Sequence, residues 1–111
     1  MNVLDKSTGL KNMADDIELY QQVLNEYYKE NQDTEEKLIF AIKEKNYDGA
    51  VKIVHKVKGS SGSIGARALY EVSVKLQKAL KEEMEEEILP LYKEFSNLLK
   101  TLFGEIRELK L

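Results

Sequence analysis

The chain of 111 residues contains one histidine, His55, and its neighbours are the residue types that phosphoryl chemistry requires. It lies in Val54-His55-Lys56-Val57-Lys58-Gly59-Ser60-Ser61-Gly62-Ser63-Ile64-Gly65, a run with a helical period. A neutral imidazole has an unperturbed pKa of about 6.5, so near neutral pH one ring nitrogen offers a lone pair for nucleophilic attack. An α-helix turns about 100° per residue, which sets Lys58 about 60° to one side of His55, Gly59 about 40° to the other and Gly62 about 20° away. Lys58 therefore presents a mobile positive charge beside the ring, of the kind that stabilises phosphoryl oxygens. Glycine costs about 0.5–1 kcal/mol relative to alanine in a helix interior, so two on the histidine face need a reason. One is access for a bulky partner to the ring over bare backbone; the others are close packing of a second helix and a bend.

The elements that must hold these residues are helical almost throughout. Ala50, Ile53, Val54, Val57 and Ile64 centre roughly 140° from His55, which turns the histidine away from the core. Residues Met1 to Asn12 form a leader ending in a short turn of helix. Asp15 or Asp16 can cap a helix to about Asn31, with Ile17, Tyr20, Leu24, Tyr27 and Tyr28 on one stripe. Asp33 and Glu36 have the spacing of a capping box for a helix to about Lys45. A tight connection follows, with Asn46 suited to a left-handed conformation and Asp48 to capping. The histidine helix then runs from about Asp48 to Ile64 and stops at Gly65. Leu69, Val72, Leu76, Ala79 and Leu80 mark the next helix, to about Glu82. Ile88, Leu91, Phe95, Leu98, Leu102, Ile106 and Leu109 mark a last one beginning near Glu86 or Glu87, because Pro90 is tolerated only near a helix start. Short connections and the absence of strand alternation predict an all-α fold: an antiparallel up-and-down four-helix bundle with an additional short N-terminal helical element, forming one domain over 1–111.

Composition narrows the function classes. The formal charge of −3 gives no basic field for nucleic acid, and the absence of cysteine removes disulfides, thiolate metal sites and cysteine catalysis. No apolar stretch approaches a membrane span, and Met1 to Lys11 lack the apolar core of a secretion signal, so a cytoplasmic location is expected. There is no Walker-type glycine loop and no carboxylate cluster at metal-binding spacing near His55. A nucleotide site of its own is not expected.

The run from His55 to Ala66, followed by an amphipathic helix, resembles the signature of the histidine phosphotransfer (HPt) family. Gly9 to Tyr28, Asn46-Tyr47-Asp48 and Leu76-Gln77-Lys78-Ala79-Leu80 fit that family's layout as well, so the resemblance covers nearly the whole chain. It implies a phosphocarrier of multistep phosphorelays rather than an enzyme, in which His55 takes a phosphoryl group from the aspartyl phosphate of one receiver domain and passes it to an aspartate on another. Implied partners are response-regulator receiver domains and hybrid histidine kinases, with the domain itself monomeric. No cofactor is implied on this chain, Mg²⁺ being supplied by the receiver. Gln77, about 80° from the Leu69 edge of its helix, is placed to contact the second imidazole nitrogen, the part a glutamine at this spacing often plays in the family; it can equally solvate a bundle edge. Met13, Ile17 and Val51 are candidates for an apolar docking patch or for ordinary core. Lys52, Lys56 and Lys81 are candidates for a basic rim. Two other classes stay open: a phosphorylation-independent binding module that docks on a receiver or kinase, and a structural protein that self-associates through its last helix.

Overall fold

A computed structural model describes residues 2–109 of the chain. Six helices follow one another: α1 (Lys6–Asn12), α2 (Ile17–Glu30), α3 (Thr34–Lys43), α4 (Tyr47–Ile64), α5 (Arg67–Lys81) and α6 (Glu85–Glu108). Short polar side chains start several of them. The carboxylates of Asp5 and Asp16 accept hydrogen bonds from the backbone N–H groups of Thr8 and Leu19, and the amide oxygen of Asn46 accepts from that of Gly49. Each such bond satisfies a donor that the first helical turn leaves free. Residues with positive φ make the reversals: Ala14 and Asp15 before α2, Lys45 before α4, Gly65 before α5 and Glu83 before α6.

Local chemistry departs from expectation at three places. Asn46 does not take the left-handed conformation; Lys45 does, at φ 56°, because Asn46 at φ −85° must aim its side chain at the Gly49 N–H. Asp48 consequently lies inside the first turn of α4 rather than capping it. The capping box at Asp33 does not form either, since Asp33 has ψ 2° and makes no side-chain cap bond. Thr34 Oγ1 donates instead to Asn31 Oδ1 at 2.8 Å, and the Glu35 carboxylate is drawn across to Ser96 Oγ at 2.6 Å. Pro90 lies further inside its helix than expected, because α6 begins at Glu85. It is exposed there, so the Glu86 carbonyl that its missing N–H leaves unpaired can turn to water.

The four arms of the bundle follow from which helices pack. α4, α5 and α6 are consecutive antiparallel neighbours. α2 and α3 do not fold back on each other. Tyr20 and Tyr27 of α2 reach Ile64 and Ser61 at the C-terminal end of α4, whereas Glu35 of α3 meets Tyr92 and Ser96 in the first half of α6. The two helices are successive segments of one arm, broken at Asn31–Asp33. One hydrophobic cluster fills the centre, with Tyr20, Leu38, Val54, Leu69, Leu76, Leu80, Phe95, Leu99 and Leu102 fully buried. Each large side chain so placed contributes about 1.5–3 kcal/mol of burial free energy.

The leader closes one end of the bundle. Asp5 N–H donates to the Gly65 carbonyl at 2.9 Å, Tyr20 Oη donates to the Ile64 carbonyl at 2.8 Å, and the N–H groups of Val3 and Leu4 donate to the Glu105 carboxylate at 3.0 and 3.1 Å. Gly9 allows this contact, because a Cβ there would collide with the Ile64 carbonyl and the Tyr20 ring. Gly65, at φ 94°, has the Asp5 carbonyl pressed against the place a Cβ would occupy. The end of α4 is thereby fixed, and with it the direction in which His55 points.

Candidate functional site around His55

His55 stands near the middle of α4, exposed, while Ala50, Val54, Val57, Ser61 and Ile64 of the same helix are buried. The helical period alone requires this division. Its partner comes from α5: Gln77, buried to 7 % exposure, sets its amide nitrogen 3.4 Å from His55 Nδ1. With that atom facing the ring, Nδ1 accepts and the ring proton sits on Nε2. A half-turn of the amide brings Oε1 to the same place, so that Nδ1–H donates and Nε2 holds the lone pair. The second arrangement leaves the outward nitrogen nucleophilic.

The glycine strip divides into two parts. A Cβ on Gly59 would meet nothing within 4 Å, so backbone beside the imidazole is open. Gly62 is not open in the same way. A Cβ there would lie 3.3 Å from Cδ2 of Tyr70, whose ring rests on this stretch of α4. Close helix packing accounts for Gly62, while at Gly59 the backbone is left bare. Lys58 is half-buried at the α5 side of the histidine, and Lys52, Lys56 and Lys81 are exposed.

The expected apolar patch is scattered in its burial. Val51 is half-buried one turn before His55, Met13 caps the end of α1 half-buried against the core, and Ile17 opens α2 at 50 % exposure. Sequence reasoning missed two apolar residues on α5, Tyr70 at 40 % and Val74 at 43 % exposure. A signal was available: they precede Gln77 by seven and three residues, which puts all three on one helical face. The contacts of Gln77 with His55 and of Tyr70 with Gly62 fix the antiparallel register and bring this face alongside the histidine. A shallow hollow of about 280 Å³, lined by Val74, Gln77, Lys78, Lys81 and Glu82, continues it.

Chemically, the arrangement offers one solvent-facing nucleophile, an amide that can fix its tautomer, a neighbouring ammonium group and unobstructed backbone. Among the described residues no three His, Asp or Glu side chains converge as a metal site, and no helix is long and apolar enough to cross a membrane. Searches of curated proteins and of solved structures give no match. The model of the Hpt domain matches residues 10–109, taking in the histidine helix, the Gln77 helix and the long last helix. Both the bundle and this match over nearly the full length lead to one conclusion: the chain belongs to the Hpt domain family, the phosphocarrier modules of phosphorelay signalling.

Proposed function

We propose that His55 is the phosphoacceptor of a phosphorelay intermediate, loaded from the aspartyl phosphate of a receiver domain and unloaded onto a second receiver. The observation that carries this reading is the exposed imidazole whose Nδ1 faces a buried glutamine amide, 3.4 Å away, beside open backbone at Gly59. In the forward step the Nε2 lone pair attacks phosphorus, and the bond between phosphorus and the aspartyl oxygen breaks with its electron pair leaving on the carboxylate. The proton on Nδ1 stays in place, held by Gln77 Oε1, which also stabilises the positive charge that the ring acquires. Lys58 partly neutralises the phosphoryl oxygens, and the receiver brings the aspartate and Mg²⁺. Such a division of roles suits phosphoryl transfer, which depends mainly on positioning and charge neutralisation. No ATP site of the chain's own takes part.

The test is transfer from a panel of radiolabelled phosphoreceiver domains to the wild-type chain and to His55→Gln. Label is expected to move to the wild type alone, while both chains keep the same helicity and melt within a few degrees of each other, since the ring lies outside the core. Firm receiver binding without label transfer would instead identify a phosphorylation-independent docking module.

A further inference from the structure

The charge of this molecule is divided between two parts of the bundle. Residues 49–81, which hold α4 after Asp48 of its first turn, the Gly65 turn and all of α5, contain six lysines, Arg67 and a single acid, Glu71, for a formal charge of +6. The whole chain carries −3, which leaves −9 on the remaining residues. Glu71 is already engaged with Arg67, at 3.1 Å. Of the six lysines, Lys52, Lys56, Lys75, Lys78 and Lys81 are exposed and Lys58 is half-buried, and none makes an ion pair within 4.0 Å among the described residues. Acids stand near the α5 lysines: Glu82 joins Lys78 and Lys81 around the hollow beside Gln77, and Glu86 and Glu87 of α6 line another with Lys75 and Lys78. By helical angle Lys52 and Lys56 lie on one side of His55 and Lys58 on the other, while on α5 Lys81 lies about 40° from Gln77, Lys78 about 100° and Lys75 about 160°, so that Lys81 is the α5 lysine nearest the histidine face.

We infer that the α4–α5 hairpin is an electrostatic landing face for a partner whose docking surface is acidic, and that phosphorylation of His55 weakens this attraction. The inference rests on the phosphorelay reading for the identity of the partner, a receiver whose own acidic pocket holds the phosphoacceptor aspartate. A field of one sign around a binding site raises association rates by about 10–10³-fold and is screened over about 8 Å at physiological salt. A phosphoryl group brings about two negative charges, as on other phosphorylated side chains, and the positive charge of a ring that keeps its Nδ1–H offsets one of them, so residues 49–81 fall from +6 to about +5. Encounter is therefore strongest when His55 is empty and the receiver carries the phosphate, and weaker once the group has crossed.

Stopped-flow association with the receiver that labels His55 fastest tests this, over a series of salt concentrations. The wild type is expected to associate about tenfold faster than Lys52→Gln/Lys56→Gln/Lys78→Gln/Lys81→Gln at low salt, with the two rates converging at high salt and dissociation changing less than twofold. Phosphorylated wild type should show a shallower salt dependence than the unphosphorylated chain. Glu26→Gln/Glu30→Gln, which raises the net charge on α2, should leave the rate near that of the wild type. Association indifferent to salt and to the four lysines overturns the inference, as does an equal effect from the two α2 glutamates. Should no receiver label His55, the phosphorelay reading falls, and the face is still decided by amide shifts on adding a polyaspartate peptide. Shifts confined to 49–81 and abolished by salt support it; shifts spread evenly, or none, overturn it. A low-salt sedimentation series in which mass rises with concentration would assign the face to a second copy and overturn it too.

Discussion

An imidazole accepts a phosphoryl group only while its outward nitrogen keeps a lone pair, and on the function proposed above the buried Gln77 amide, 3.4 Å from Nδ1, is what sets that condition. Gln77→Leu removes the acceptor for Nδ1–H while filling similar volume. It should slow labelling by about tenfold or more and change the pH profile of the labelling rate, with helicity unchanged. An unaltered pH profile would reduce Gln77 to a packing residue. Lys58→Ala should lower the transfer rate within the complex more than it weakens receiver binding, because its ammonium group meets charge that moves during transfer; equal losses in both measurements would remove that role. The outward place of His55, with Lys58 and Gly59 to either side, is legible from residue type and helical angle, whereas Gln77 as the partner of Nδ1 rests on the family resemblance as well. Tyr70 over Gly62 is not legible, since periodicity within a helix says which residues share a face but not which face of a neighbour they meet. That pairing is set by the Gly65–Ala66 turn and by the packing of α5 on α4.

Helices here are positioned by their ends, and the end of α4 is the most constrained. Gly65 combines φ 94° with the Asp5 carbonyl against its α-carbon, and the Asp5 N–H bonds back to the Gly65 carbonyl. Gly65→Ala forces a side chain into a left-handed residue and pushes the leader off the bundle, and should cost about 1–3 kcal/mol. Urea unfolding checks this through a lower midpoint at unchanged slope, and an unchanged midpoint would refute it. The C-terminus of α4 was readable because glycine is the residue best suited to that conformation. The starts of α3 and α4 were less so. Several short polar residues compete at each, Asp33 with Thr34 and Asn46 with Asp48, and tertiary partners such as Ser96 for Glu35 decide the outcome. Likewise, the stripes of α2 and α3 showed two helices without showing that they continue one arm of the bundle.

Across the whole molecule, two buried phenols tie the first arm to the end of α4: Tyr20 donates to the Ile64 carbonyl, and Tyr27 bonds Ser61 at 2.9 Å. Burial pushes both phenols from the usual 10 to about 12, with the Asp5 carboxylate adding to the rise at Tyr20. Both ionise more readily in the unfolded chain, so the stability that comes from keeping them neutral is intact below about pH 10 and is lost as pH rises through about 12. Tyr20→Phe should melt lower than the wild type at neutral pH, because the Ile64 carbonyl loses its donor, yet lose less between pH 10 and 12; parallel melting curves across that range would exclude the effect. All these constraints serve to hold one imidazole outward on a rigid bundle. The most direct measurement is the intact mass of the chain after incubation with phosphorylated receivers, with fragmentation to place the added group. One phosphate on His55, lost in acid and stable in base, is the result expected. A mass unchanged by every receiver, or a phosphate on any other residue, would contradict the assignment.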